Sequence, residues 1–296
     1  MNTAAKIKQY SCDICDHGEF EEIRVHKTPI GDLRVVKCLN CGHFYQKDRA
    51  SIEYIKELYE SDYFTNAYED FNEGVTGSYL EDRKQIMTFV RRRFDEIENF
   101  EIPGKRFLDI GCAYGFYLEY AKERGFECEG IELSPEAYDF CKKSGFKVES
   151  RSVELIYYPD SSFDLIGMWL CLEHFLDPNL VLSKVHSWLS DDGLISIKIP
   201  VVDGITFRMN PEIWWDQHPP DHTCDYSRRH LRILLENNGF DIVFQKSEGI
   251  HSKRWARAFK INEETNQITN ETEKRLQKLS EELFLGDSLV VIARKK

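Results

Sequence analysis

Apolar positions change their period several times along the chain, and each change marks an element. Short apolar runs at about 106–111, 127–132, 146–150, 163–169 and 193–199 alternate with stretches whose apolar residues recur every three to four positions. Strands alternating with helices in this way predict an α/β domain built on a mainly parallel sheet. Two later runs, 240–246 and 287–294, flank a polar helical stretch at 268–285 and bring the sheet to seven strands. Ser134-Pro135 and Asp177-Pro178 each set a capping side chain before a proline in the first turn, a helix start. Ser227 opens another helix, with Leu231, Leu234 and Leu235 inward and Gly239 at its end. Upstream, Ser51 caps a helix through Tyr59, and Ile86, Met87, Val90, Phe94 and Ile97 fall on one face of a longer one.

Composition adds limits. At 296 residues, 42% hydrophobic and 30% charged, the chain has material for one catalytic domain and an appendage. Its net charge of −12, from 39 basic and 51 acidic residues, repels a polyanion, so DNA and RNA are poor partners. No apolar run reaches the roughly eighteen residues of a membrane span. Met1 to Tyr10 lacks the apolar stretch of a signal peptide, and a cytoplasmic location is expected.

The N-terminal segment carries Cys12-x-x-Cys15 and Cys38-x-x-Cys41, separated by 22 residues. Two such pairs can set four thiolates at the corners of a tetrahedron, the arrangement of a structural zinc ion. Four thiolates close the shell, leaving no position for water, so the ion is not expected to be catalytic. A hairpin is expected between the pairs, turning near Pro29-Ile30-Gly31-Asp32, with His17 and His43 as exposed turn residues beside the knuckles. Residues 6–49 hold eight basic and seven acidic side chains without a basic stripe, which argues against a nucleic-acid role for this ribbon.

Residues 201–226 break the regular alternation with Phe207, Trp214, Trp215, His218, Pro219, Pro220, Asp221, His222 and Tyr226. Rings with scattered ionisable groups on an irregular insertion predict a substrate pocket. The other candidate site lies at the end of the first strand of the sheet, in Asp109-x-Gly111-x-Ala113-x-Gly115. Gly111 and Gly115 would let the backbone come close to a ligand, and Glu132, ending the next apolar run, can accept the hydroxyls of a ribose. The dinucleotide pattern G-x-G-x-x-G fails here, because its second and third places hold Ala113 and Phe116.

At this loop the sequence resembles the class I S-adenosylmethionine-dependent methyltransferases, whose first motif is Asp-x-Gly-x-Gly-x-Gly; Ala113 stands at the middle glycine. Ser162-Phe163-Asp164, Leu172-Glu173-His174-Phe175-Leu176-Asp177-Pro178 and the run from Leu189 to Pro200 are similar to later family motifs in the same order. The resemblance implies a Rossmann-like fold, with seven mostly parallel strands, helices on both faces, and the last strand antiparallel between the fifth and sixth. It implies S-adenosylmethionine held by Asp109, Gly111, Cys112, Ala113 and Gly115 in the loop, Glu132 and Leu133 at the second strand end, Ser152 and Val153 beside the adenine, and Trp169 and Leu170 near the methyl donor. It also implies a lid over the cofactor in the span containing Tyr63, Phe64, Tyr68 and Phe71, where aromatic staples packing on the core are the other reading.

Methyl transfer from a sulfonium is an in-line displacement, so the protein mainly aligns donor and acceptor and receives the acceptor's proton. His174, His218 and His222 are the candidate bases, with Glu173 and Asp221 as orienting carboxylates. The run Asp216-Gln217-His218-Pro219-Pro220-Asp221-His222 is similar to a catalytic stretch of the sugar C-methyltransferases, which share the N-terminal zinc-binding segment. Their catalytic tyrosine falls on Pro219, so O-methylation of a sugar, glycan precursor or other small metabolite is expected rather than carbon methylation; a tRNA or protein acceptor, or a non-catalytic zinc-ribbon scaffold, is the alternative. The domain boundaries expected are a zinc ribbon over 1–50, a helical linker or lid over 51–100, and a methyltransferase domain over 101–296 with the substrate insertion at 201–226.

Overall fold

In the computed structural model, which describes residues 6–60, 79–216, 218–250, 256 and 269–296, the five apolar runs form parallel strands of a single sheet. These are β6 (Arg106–Ile110), β7 (Glu127–Ile131), β8 (Lys147–Glu149), β9 (Phe163–Trp169) and β10 (Leu189–Pro200). The strands β12 (Phe240–Glu248) and β13 (Ser288–Lys295) complete the order β12-β13-β10-β9-β6-β7-β8, with β13 antiparallel to both neighbours. The chain moves from β6 one way to β7 and β8, then the other way to β9 and β10. The reversal between β6 and β9 opens a crevice at the strand ends, where ligands bind in open α/β sheets. β10 starts earlier than its sequence pattern predicts, and its register against β9 shifts between Leu189 and Leu194. Asp192, at φ 63, accounts for the irregularity.

Alternation along the strands divides the core into two layers. On one face α5 (Pro178–Trp188) and α8 (Arg228–Asn237) bury Val181, Leu182, Val185, Leu231, Leu234 and Leu235 against Leu108, Ile110 and Ile166. On the other, α2 (Arg83–Ile97), α3 (Phe116–Glu123) and α4 (Pro135–Lys143) bury Met87, Val90, Phe94, Leu118 and Ala137 against Phe107 and Leu165. Each fully buried side chain of this size contributes about 1.5–3 kcal/mol. The helix starts follow their caps: Ser134, Asp177 and Ser227 accept the amides of Ala137, Leu180 and His230. Among the described residues a polar helix, α9 (Asn270–Glu282), precedes β13. No helix among the described residues is long and apolar enough to cross a membrane.

At the opposite end of β6 and β9 from the crevice, Asp164 accepts the Arg106 amide at 3.0 Å, its Nε at 2.9 Å and its Nη2 at 2.7 Å. The aspartate of the Ser-Phe-Asp motif therefore clamps two strands rather than facing a ligand.

The N-terminal segment folds as β1 (Ile7–Gln9), β2 (Phe20–Thr28), β3 (Gly31–Cys38), β4 (Phe44–Gln46) and β5 (Asp48–Ala50), followed by α1 (Ile52–Glu60). The β2–β3 hairpin turns where the sequence predicts, with Thr28 opposite Gly31. β1 pairs with β5, and β2, β3 and β4 form a separate sheet; what the sequence hides is its fourth strand, β11 (Cys224–Asp225), which comes from the insertion and pairs with β4. Two short helices, α6 (Ile205–Met209) and α7 (Pro211–Asp216), precede it. Trp214 and Trp215 bury against Val35 and Val202, so these rings join the ribbon to the sheet instead of lining an open pocket. Arg49, fully buried, pairs with Asp13 and donates to the Leu176 carbonyl. His43 is likewise fully buried, stacked on Tyr226 and edge-on to His230, which corrects its expected exposure. Burial pushes its pKa down to about 3, so it is a neutral packing ring. The expected lid residues Tyr63, Phe64, Tyr68 and Phe71 lie outside the described residues.

Candidate active site

The loop after β6 is held by its own backbone and by the neighbouring strand. The amides of Gly111 and Cys112 both donate to the Ile131 carbonyl, at 2.8 and 3.0 Å. Gly111 and Gly115 have φ of 75 and 76, a region that costs an L side chain energy. A Cβ at Gly111 would meet Cys171 at 3.1 Å, and one at Gly115 would meet the Cys141 sulfur at 2.9 Å. The turn and the protein packing around it both require these glycines. Ala113, at the place of the family's middle glycine, takes φ 46 and pays the left-handed cost. Cys112 is buried, its sulfur 2.7 Å from where a Cβ on Gly130 would lie.

Glu132 follows β7 directly, and its carboxylate accepts the Ala113 amide at 2.8 Å and the Ser134 amide at 2.7 Å. One oxygen serves each bond, and each keeps a second lone pair for a ligand. Asp109, the next-to-last residue of β6, is 1% exposed, and its Oδ2 has no hydrogen-bond partner. Burial, then the charge of Glu132, raises the Asp109 pKa well above the usual carboxylate range; burial raises that of Glu132. Two desolvated carboxyls at adjacent strand ends favour a cation and hydroxyl donors between them. S-adenosylmethionine, with its sulfonium, ammonium and ribose hydroxyls, matches that requirement.

The remaining cofactor candidates are placed unevenly. Leu133 is half-buried beside Glu132, and Ser152 and Val153 form the turn after β8, with the Ser152 hydroxyl on Glu154. Trp169 ends β9, but its ring folds back, stacking on Tyr117 at 3.8 Å and donating to Ser196 Oγ at 3.2 Å. Only its backbone is at the strand end. Leu170 comes next, nearly half exposed, with φ 57. An apolar side chain held out in a strained conformation at a strand end is a feature of ligand sites.

Beyond Leu170 a single turn of 3₁₀ helix presents Glu173 and His174, and the insertion brings His218, Asp221 and His222 to them. His174 Nδ1 lies 3.1 Å from Asp221 Oδ2, and its ring sits 4.8 Å from that of His222. Burial opposes charge on His174, yet Asp221 outweighs it and brings the pKa up to about 9. Burial alone would raise Asp221, but the His174 charge holds it well below the usual range. Burial lifts Glu173 to about 7 and lowers His222 to about 4.

Two further members have no place in the sequence reading. Asp225 accepts from His218 Nε2 at 2.8 Å, while His218 Nδ1 meets His26 Nε2, on β2 of the ribbon, at 2.9 Å. Four imidazoles, His174, His222, His218 and His26, therefore run in contact from the strand end into the ribbon. The spacing His218, His222, Asp225 was a visible signal for Asp225. His26 carries none, being one inward position on an alternating strand. Burial and then His218 lower the His26 pKa to about 4.

The ribbon cysteines converge as well. Cys12 and Cys41 sulfurs are 3.5 Å apart, those of Cys15 and Cys38 3.6 Å, and all four lie within 4.8 Å of one another. The two knuckles share one geometry: Asp16 donates to the Cys12 carbonyl at 2.8 Å and Gly42 to that of Cys38 at 3.0 Å, both at positive φ. Tetrahedral zinc with Zn–S bonds of about 2.3 Å separates sulfurs by about 3.8 Å, so the quartet fits that ion.

Known proteins are similar to parts of this chain. An Archaeoglobus fulgidus S-adenosylmethionine-dependent methyltransferase is similar in fold, with TM-score 0.52 and 22% identity over 73% of this chain and 99% of its own. A ubiquinone biosynthesis O-methyltransferase of Bordetella avium is 33% identical over 101 residues, 32% of this chain and 42% of its own. A probable (S)-tetrahydroprotoberberine N-methyltransferase of Papaver bracteatum is 28% identical over 102 residues, 32% of this chain and 28% of its own. The chain thus spans less than half the length of these two curated relatives. A family model described as a methyltransferase domain matches residues 79–245, more than half of the 296, taking in the Asp109 loop, Glu132 and the Glu173–Asp225 cluster. With the fold and the paired strand-end carboxyls in agreement, the chain belongs to the S-adenosylmethionine-dependent methyltransferases of this domain family.

Proposed function

We propose that this chain methylates a hydroxyl of a small acceptor, a sugar, glycan precursor or other metabolite, at the strand ends of β6, β7 and β9. The observation that carries the cofactor part is the Asp109–Glu132 pair, with an unpartnered buried oxygen on Asp109 and free lone pairs on Glu132. Asp109 would face the cationic methionine portion, and Glu132 would hold the ribose. Bound there, S-adenosylmethionine supplies a methyl group on a sulfonium that departs as a neutral thioether. The imidazoles and carboxylates of the Glu173–Asp225 cluster give the acceptor's proton somewhere to go.

A cavity of about 250 Å³ opens between ribbon and insertion, lined among others by His26, Thr28, Gln46, Tyr54, Asp221 and Thr223. Its mixture of hydrogen-bonding and apolar walls supports a hydroxyl-bearing acceptor. The ribbon's four thiolates would hold a structural zinc that fixes the wall of this cavity. Calorimetry with S-adenosylhomocysteine tests the reading: wild type binds, and Asp109→Ala and Glu132→Ala lose about tenfold or more, the effect of removing a hydrogen bond to a charged group. Unchanged binding in both variants rejects it. A screen of hydroxylated and aminated metabolites with labelled cofactor then identifies the acceptor atom.

A further inference from the structure

Three carboxylates and four imidazoles meet beside the loop after β9, more than the removal of one proton requires. One donor atom from each of Glu173, His174 and His222 lies within 4.8 Å of the other two. Glu173 is 2% exposed, and its Oε2 has no hydrogen-bond partner. His174 Nδ1 and His222 Nδ1 likewise have no hydrogen-bond partner, with the carboxylate charges of Asp221 at 3.1 Å and Asp225 at 3.8 Å beside them. Each ring therefore offers a nitrogen to an ion, and the neighbouring carboxylates add negative charge that favours a cation there. His218 stays outside the set, since both of its nitrogens are engaged, by Asp225 and His26.

We propose that Glu173, His174 and His222 bind a divalent first-row transition-metal ion, separate from the ion of the ribbon cysteines. Two imidazoles and one carboxylate suit zinc, manganese, cobalt or iron(II), and three protein ligands leave coordination positions open. Those positions would take oxygen atoms of the acceptor, orienting it toward the methyl donor and easing loss of its hydroxyl proton. This role toward the acceptor rests on the methyltransferase reading; binding of the ion does not.

The test adds Mn²⁺ or Co²⁺ to protein purified with its ribbon metal in place. Loss of the free Mn²⁺ resonance should report one bound equivalent, and Co²⁺ should give weak visible bands without the intense thiolate charge transfer of a cysteine site. His222→Ala and Glu173→Gln should abolish both signals, and Asp221→Asn should weaken binding about 10–100-fold. Circular dichroism and binding of S-adenosylhomocysteine serve as folding controls, and the latter fails separately if the cofactor reading is wrong. Absence of binding by wild type for both ions overturns the proposal without any variant. Unchanged binding in His222→Ala also overturns it.

Discussion

Glu132 accepts the Ala113 amide at 2.8 Å, so the carboxylate at the end of one strand fixes the loop at the end of its neighbour. The same side chain takes the Ser134 amide at 2.7 Å, ahead of helix α4. A residue assigned to ribose binding therefore also holds its own site together. Glu132→Ala should strip two buried amides of their acceptor, costing about 1–3 kcal/mol for each. Urea denaturation of the ligand-free protein measures it; an unchanged midpoint would show that water replaces the carboxylate.

The strained loop gives a second prediction. Ala113→Gly relieves a left-handed alanine but loosens the unfolded chain, so stability should stay within about 1 kcal/mol and S-adenosylhomocysteine should still bind. Gly115→Ala adds a methyl at φ 76, with the Cys141 sulfur 2.9 Å away, and should destabilise by about 1–3 kcal/mol. Comparing the two melting temperatures separates the cases.

Arg49 and Asp13 are both buried where ribbon meets sheet, with side-chain exposures of 0% and 6%. Asp13→Ala leaves the guanidinium without its charge partner and should cost about 3–5 kcal/mol. Lys27 and Asp32, also paired but exposed, should lose about 0–1 kcal/mol on Asp32→Ala. Equal losses in the two variants, read by chemical denaturation, would contradict this account of the junction.

Glu248 sits 4% exposed among Arg93, Arg92 and Lys198. Burial would raise its pKa, but Lys198 and then Arg93 overcome this and hold it at about 2, below the reference 4.5. Because the folded value lies below the unfolded one, the stabilisation is complete above pH 4.5 and is lost as pH falls toward 2. Glu248→Gln should be less stable than wild type at neutral pH by about 3 kcal/mol, and the gap should close over that acid window. A gap that stays constant between pH 5 and about 2.5 in urea titrations would refute it.

How much of this could be read in advance depends on range. Periodicity located the strands and helices, and caps such as Ser134 and Asp177 act within three residues, so local reading reached them. It also reached the positions of Asp109 and Glu132 at adjoining strand ends, because the end of a strand is marked by its own residues. It missed His26 and the strand Cys224–Asp225, and it misjudged His43, Trp214 and Trp215, since each depends on a partner far along the chain.

Local pattern was enough for a seven-stranded α/β sheet, a loop and an acid at adjoining strand tips, and two cysteine pairs of matching spacing. Folding alone decided that the insertion would give the ribbon a fourth strand and that four histidines from three segments would touch. Hydrophobic period and capping are properties of neighbouring residues. Burial, pairing of charges and convergence of donor atoms are properties of positions in space, which no local pattern records.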